Sequence, residues 1–384
     1  MHISVFMGPM SMSPQQDLPL IELCLEQAVQ AADKGFCQIT FGEQHFNGYE
    51  PYCNPLLMAA RLAPFLNGAF FGTTITPITL HHPLRLVEDV NVLDNLTRGK
   101  FVLGISAGRP AVGGFSPDMD NFGLDPERRL EIFSSKLDVM LQAWAHEPGD
   151  PPIRFDTFWG KGALGGRMMP LSYRAGKPLV AIGTSSDDVV KSTGKRGWPL
   201  YLGPCLRAEA VRKLALHREA MVDSGVDTAQ RDQSALLSMV TRHSIVGATE
   251  DEAWERAERM MGRMAMLRRG DADRRSLREM AAMDLSVPGD PADILRRNAE
   301  VVQSWLICGS PAAVVEQFEA YAEVGVKHVN TRFTVGPGQP EDIWRSFDLF
   351  TAQVLPHLNP QQFTAPSGNE VRSYAPPPAK FIAD

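Results

Sequence analysis

Three apolar runs between positions 36 and 109 each end in a short polar cluster, and this repeated ending is the strongest constraint on the fold. Residues 36–41 run into Gly42-Glu43-Gln44-His45-Phe46, residues 69–75 run toward His81-His82-Pro83, and residues 101–105 run into Ser106-Ala107-Gly108-Arg109. Strands that are apolar throughout are buried on both faces, as parallel strands are. Polar side chains released only at their C-terminal ends collect the chemistry at one rim of a parallel barrel.

The segments between these runs have a helical period. After a strand at 1–7, apolar Ile21, Cys24, Leu25, Ala28 and Ala32 recur at helix spacing, with Asp17 as the expected N-cap, Pro19 in the first turn and Gly35 as the stop. A strand at 36–41 follows directly, which makes a parallel crossover unit. The alternation continues with helices at 55–65, 84–96, 126–144, 187–195 and 208–223 between strands at 69–76, 100–105, 177–182, 198–202 and 236–246. Thr249 and Glu252 have capping-box spacing at the start of a further helix. A helix capped at Ser310-Pro311 and closed at Gly325 introduces the last strand, 327–333. Eight strands separated by helices predict an α/β (β/α)8 TIM barrel spanning 1–358.

Two insertions and a tail depart from that minimum. The Gly- and Pro-rich stretch 146–176 reads as an excursion over the rim. Between 260 and 290, Met260, Met261, Met264, Met266, Met280 and Met283 surround Arg268-Arg269, Arg274-Arg275 and Arg278. That pattern suits either a flexible lid or an amphipathic helix on the barrel exterior. The segment 359–384 is Pro-rich and expected to be an extended, flexible tail.

Composition narrows the function classes. The net charge of −7 is spread over interspersed acids and bases, which disfavours a nucleic-acid partner. No run of about 18 apolar residues exists, so no spanning helix is expected, and residues 1–7 lack the pattern of a signal peptide. The five cysteines, Cys24, Cys37, Cys53, Cys205 and Cys308, fit neither a zinc site nor a CxxC pair. Reduced thiols, a cytoplasmic location and no metal site are expected. Gly104-Ile105-Ser106-Ala107-Gly108 has the spacing of a nucleophile elbow, but no helix obviously begins at Ser106. Neither a GxGxxG turn nor a Walker loop is present.

The segments GEQHF (42–46), FGTTITPITLHHPLRLVEDVNVLDNLTRGKFVLGISAGR (71–109), AIGTSSDDVVKSTGKRGWP (181–199) and ICGSPAAVVEQFEAYAEVGV (307–326) together carry a family resemblance. In length and order they are similar to the bacterial luciferase-like flavin-dependent monooxygenases. The resemblance implies reduced FMN as cosubstrate and O2 as oxidant. It places His45 near the flavin, for proton transfer or hydrogen bonding. Luciferases proper often carry two adjacent histidines here. This chain has Gln44, and an amide cannot act as the base. Thr74 and Ile75 match a bulge that often holds a non-prolyl cis bond against the flavin face, although alone they are ordinary strand formers. Thr184, Ser185 and Ser186 precede a helix N-terminus suited to the flavin phosphate, but the same residues would make a plain N-cap anywhere. Asp187 and Asp188 would repel an anion they faced. Arg109 is the candidate cation, although the family more often has arginine where Ala107 stands. His81-His82 is assigned to packing. In the last strand His328, Asn330 and Arg332 share a face, and Arg332 reaches either the pocket or a salt bridge within the barrel.

The function implied is a two-component monooxygenase. It would take reduced FMN from a separate flavin reductase, form a flavin C4a-peroxide and oxygenate a small organic substrate. Phe6, Phe115 and Trp159, with the methionines, suggest that the substrate is apolar. A homodimer packing helices 55–65 and 84–96 is expected. Two alternatives stay open: a deazaflavin-dependent hydride-transfer oxidoreductase, and a non-catalytic flavin-binding partner subunit.

Overall fold

The computed structural model describes residues 1–109, 116–262, 275–286, 293–358, 360–364 and 370–372. Its centre is a ring of eight strands: β1 (His2–Met7), β2 (Gln38–Phe41), β3 (Phe70–Thr73), β4 (Phe101–Ser106), β5 (Leu179–Gly183), β6 (Leu200–Leu202), β7 (Met239–Val246) and β8 (His328–Arg332). All neighbours pair in parallel, from β8–β1 round to β7–β8. The predicted (β/α)8 barrel is therefore the observed one, with helices on the outside.

Several boundaries shift for identifiable reasons. The first helix, Pro14–Lys34, starts one turn before the expected cap. Asp17 lies inside it and accepts a hydrogen bond from the Ser11 hydroxyl rather than capping. Gly35 does end the helix, at φ 97°, a left-handed value glycine adopts without Cβ strain. The third strand breaks where residues 69–76 were expected to be continuous. The peptide bond Thr74–Ile75 is cis, and Thr76–Pro77 pairs separately with Ile105 and Ser106. The segment 236–246 divides into the end of a helix, Thr228–Leu237, and β7. A ninth parallel strand, Leu306–Gly309, pairs with the upper half of β7 and was not anticipated.

The insertion 146–176 holds an antiparallel hairpin, Ile153–Thr157 with Gly160–Leu164. Trp159 stacks on Phe155 and donates to the Ser135 hydroxyl on the neighbouring helix. In the Met-rich stretch, Met260, Met261 and Met280 are buried in the main core. Met264, Met266, Arg268, Arg269 and Arg274 lie outside the described residues. From the tail, Phe363 packs edge-on against Phe70 and His328 at the N-terminal end of the barrel. Val371 bridges to Arg174. Residues 359, 365–369 and 373–384 of the tail lie outside the described residues. On the two helices expected to meet a second copy, Leu57, Val92 and Leu96 are exposed. Among the described residues no helix is long and apolar enough to cross a membrane.

The barrel interior is polar at its lower end. Ser4 donates to the Asn330 side chain at 2.9 Å, His328 Nε2 lies 2.8 Å from Ser4 Oγ, and Thr40 meets the Asn330 amide. Burial drives the His328 pKa down to about 3, so the ring is a neutral hydrogen-bonding group. Above this layer the wall has no spare room at Gly104. A Cβ there would stand 2.1 Å from the Thr73 carbonyl oxygen and 2.8 Å from the Tyr201 ring. Gly104→Ala is accordingly expected to cost about 3 kcal/mol of stability, read as a lower urea midpoint with an unchanged slope.

Candidate active site

A cleft of about 690 Å³ opens at the C-terminal ends of the strands, within the range of about 300–1,000 Å³ common to small-molecule and cofactor sites. The fold delivers its walls from five directions. Phe6 comes from β1, Glu43 and Gln44 follow β2, Thr74 and Ile75 follow β3, Ser106 to Arg109 close β4, and Gly183 to Ser186 close β5. Met239 and Thr241 of β7 and Arg332 of β8 complete the far side.

The β5 exit leads into a helix whose N-terminus carries no side-chain cap bond. Ser186 stands at the N-cap of the helix Asp187–Lys195, but its hydroxyl makes no cap bond. Its backbone N–H instead donates to Thr184 Oγ1 at 3.0 Å. The plain N-cap alternative therefore does not describe this turn. Asp187 does not confront the cleft as a free charge. It takes two hydrogen bonds from Arg212, at 2.7 and 2.8 Å, and one from Lys213 at 2.9 Å. Those bonds hold its carboxyl far below the ordinary carboxylate range. Lys213 is buried, lines the cleft and also donates to the Ser185 carbonyl at 2.6 Å. It was not singled out from sequence, because a lysine inside a helix reads as a solvated face.

Arg109 borders the cleft but is turned toward the β2 exit. Its guanidinium donates to Gln44 Oε1 at 2.9 Å and lies 3.8 Å from Asp118. Asn47 donates to the same Gln44 oxygen at 3.1 Å. The amide is thereby oriented with its Nε2 toward Glu50 Oε1, 3.4 Å away. Gln44 is a connector between a surface guanidinium and a buried acid.

His45 does not border the cleft. Its ring packs edge-on against Phe122 at 5.0 Å, and its Nε2 lies 3.2 Å from Glu43 Oε1. The same oxygen receives His81 Nε2 at 2.7 Å. His81, assigned to packing from sequence, is therefore part of the site. Glu43 is the member of this trio that reaches the cleft, and its Oε2 is buried without a partner among the described residues. Burial pushes the Glu43 carboxyl up, but the bonds from His45 and His81 outweigh it and hold the pKa below the usual carboxylate range.

Glu50 is a second buried acid in the cleft, 1% exposed, and sequence reasoning missed it too. Its carboxyl fits between two strand ends that lack side chains. A Cβ on Gly42 would stand 2.5 Å from Glu50 Oε2, and one on Gly8 would stand 3.1 Å from Oε1. Arg332 lines the same floor. It donates to the carbonyls of Thr334 and Gly8 and lies over the Phe6 ring. No carboxylate lies within salt-bridge distance of Arg332 among the described residues, so of the two sequence alternatives the pocket is the observed one. Trp159 is not among the lining residues, and Phe115 lies outside the described residues.

Burial pushes the Glu50 pKa from 4.5 to about 7, against the opposing pull of Arg332. Between those values the folded chain holds a proton that the unfolded chain has released. The contribution of Glu50 to stability is therefore fully present below pH 4.5 and is lost as pH rises toward 7. The full shift corresponds to about 3 kcal/mol. Urea unfolding of Glu50→Gln across this window should show that decline removed.

The chain matches the luciferase-like monooxygenase family over residues 1–328. It is 27% identical to 4-hydroxyprotoasukamycin monooxygenase of Streptomyces nodosus subsp. asukaensis, across 87% of this chain and 86% of that one. It is also 27% identical to the alkanal monooxygenase alpha chain of the Kryptophanaron alfredi symbiont, covering 57% of this chain and 59% of that protein's length. An uncharacterized protein of Sinorhizobium fredii is 30% identical over 33% of this chain, which spans 35% of that relative. Among solved structures, the oxygenating constituent of 3,6-diketocamphane monooxygenase from Pseudomonas putida, in complex with FMN, superposes with a TM-score of 0.70. The two are 16% identical, and the match covers 93% of this chain and 98% of that one. An F420-dependent secondary alcohol dehydrogenase superposes with a TM-score of 0.63 at 16% identity, over 93% and 98% of the two chains, so the likeness is one of fold. With the family profile spanning most of its length and an eight-stranded parallel barrel beneath it, this protein belongs to the luciferase-like monooxygenases.

Proposed function

We propose that this protein is a two-component monooxygenase that uses reduced FMN, supplied by a separate reductase, and O2 to oxygenate a small organic molecule. The observation that carries the reading is the β5 exit. An uncapped helix N-terminus, two serines and a threonine, and the buried Lys213 together border a cleft large enough for a flavin. Phosphate at that end would meet backbone N–H groups, hydroxyls and a cation, the donor set a phosphomonoester requires.

Reduced flavin, when bound, would supply the electrons that activate oxygen. The chain's own residues do the rest. Thr184, Ser185, Ser186 and Lys213 hold the phosphate, while Thr74 and Ile75 form the wall for the ring. Phe6, Leu202 and Met239 keep water from the floor of the cleft. Glu43, held ionised by His45 and His81, takes up or returns a proton at its free Oε2. His45 thus acts through Glu43 rather than directly, and Arg109 through Gln44.

The reading predicts that the full chain binds dihydro-FMN under nitrogen with saturation. Dihydro-riboflavin, which lacks the phosphate, should bind at least about tenfold more weakly. Ser185→Ala combined with Ser186→Ala should narrow that gap by weakening FMN alone. Absence of saturable FMN binding ends the proposal.

The likeness in fold to the F420-dependent dehydrogenase keeps a second reading in view, hydride transfer with a deazaflavin. Oxygen consumption decides between them. The monooxygenase reading requires uptake with reduced FMN above the free-flavin background when substrate is present. Hydride transfer predicts no such uptake and bleaching of the deazaflavin absorbance instead.

A further inference from the structure

The β2 exit carries a second bare acceptor, Glu50 Oε2, beside the Glu43 oxygen to which the flavin reading gives a proton. Glu43 Oε2 and Glu50 Oε2 are both buried, neither has a hydrogen-bond partner among the described residues, and both residues line one cleft. Each residue is more than nine-tenths buried. Leaving a buried carboxylate oxygen unpaired is expensive, more so than for a neutral acceptor. The recorded bonds of the nearby donors go elsewhere. Tyr52 donates its hydroxyl to the Met7 carbonyl, Arg332 donates to Thr334 and Gly8, and Gln44 reaches only Glu50 Oε1.

The slot that holds Glu50 is built rather than incidental. Glycine at 8 and at 42 leaves room for its carboxyl, and any side chain at 42 would collide with it. Glu50 itself sits at φ 55°, a left-handed conformation that glutamate rarely adopts. These features hold an acid in place at the floor of the cleft without giving it a complete set of partners.

We propose that Glu50, assisted by Glu43, is the substrate-recognition acid of this cleft, and that the substrate presents an O–H or N–H group to it: a phenol, alcohol or amine rather than a plain hydrocarbon or ether. The inference rests on the cleft being the substrate chamber of the flavin reading and narrows its substrate class. A donor from the substrate satisfies the bare Oε2. An analogue with methyl in place of hydrogen leaves that oxygen unpaired and is rejected, the asymmetry that lets polar sites discriminate strongly. Phe6, Phe133 and Met239 supply apolar contact for the rest of the molecule.

Ionisation of Glu50 sets the strength of the contact. The groups facing it are Arg332 from β8, Arg109 beyond β4, Glu43 and Gln44 beyond β2, Cys24 from the first helix, and Tyr52 and Cys53 on its own loop. The two arginines favour the charged form, while burial and Glu43 oppose it. Recognition of a neutral donor therefore strengthens as pH rises through about 7.

The test is calorimetric binding of phenol and anisole to the full chain, with and without saturating oxidised FMN. At pH 8 phenol should bind at least about tenfold tighter than anisole, and the ratio should shrink toward pH 6. Glu50→Gln should bring the ratio below about threefold at both pH values while FMN binding is unchanged. A wild-type ratio near one, or a ratio that does not change with pH, overturns the proposal even if the variant fails to fold. A folded Glu50→Gln that keeps the preference also overturns it. Failure of dihydro-FMN to bind is a separate result and removes the flavin reading instead.

Discussion

Met239 and Val240 of β7 pair with Tyr201 and Leu202 of β6, and this short seam closes the barrel. Because every strand of the ring pairs in parallel, closure gathers all eight C-terminal ends on one rim, where residues far apart in sequence meet. The seam also ends early. Above Val240 the upper half of β7 turns to Leu306–Gly309 instead of β6. Pro204, Cys205 and Thr241 flank that parting and line the cleft. The unanticipated strand therefore does more than decorate the barrel. It takes the upper backbone hydrogen bonds of β7 and lets the rim widen between the sixth and seventh strands.

The cleft has a division of charge that follows from this geometry. At the β5 exit, Arg212 and Lys213 absorb Asp187, and the helix N-terminus is left free to attract an anion. At the β2 exit the sign reverses. Two carboxyls occupy the floor, one kept ionised by two histidines and the other shifted toward neutral pH by burial. Arg332 lies between β8 and Glu50 without forming a close ion pair, so it moderates the acidity of the floor and does not cancel it. One chamber thus presents a helix N-terminus at one end and two buried carboxyls at the other.

The architecture was legible because period and punctuation agree along most of the chain. Apolar runs of strand length alternate with helices stopped by Gly35 or opened at Ser310, and both signals act locally. The interrupted third strand was visible only through the family resemblance, since Thr74 and Ile75 by themselves favour a continuous strand. The strand Leu306–Gly309 was missed because the helix before it, Ile294–Trp305, runs into it without a glycine or proline. At the site, Gln44, Thr74, Ile75, Arg109, Thr184, Ser185 and Ser186 border the cleft, and His45 lies behind Glu43. His45 and Arg109 were chosen for their chemistry, yet they act on Glu43 and Gln44. Glu43 and Glu50 were passed over because acids in a loop are normally solvated. The available clue was Gly42, a residue without a side chain directly beside an acid at a strand end. Its need for space appears only once Glu50 folds back over it, a contact between residues eight positions apart that no periodicity encodes.

Phe363 gives the barrel a floor. It covers Phe70, His2 and His328, and the chain beside it is tied down, with Gln361 bonded to Met1 and accepting from His2. The polar column of Ser4, Thr40 and Asn330 is therefore sealed from below by a residue contributed after the last helix has ended. The lower end of the barrel is thus covered by a segment that follows its last strand and last helix. Without that segment the hydrogen-bonded interior would have a second mouth, so the chamber depends on residues outside the barrel's own strands and helices.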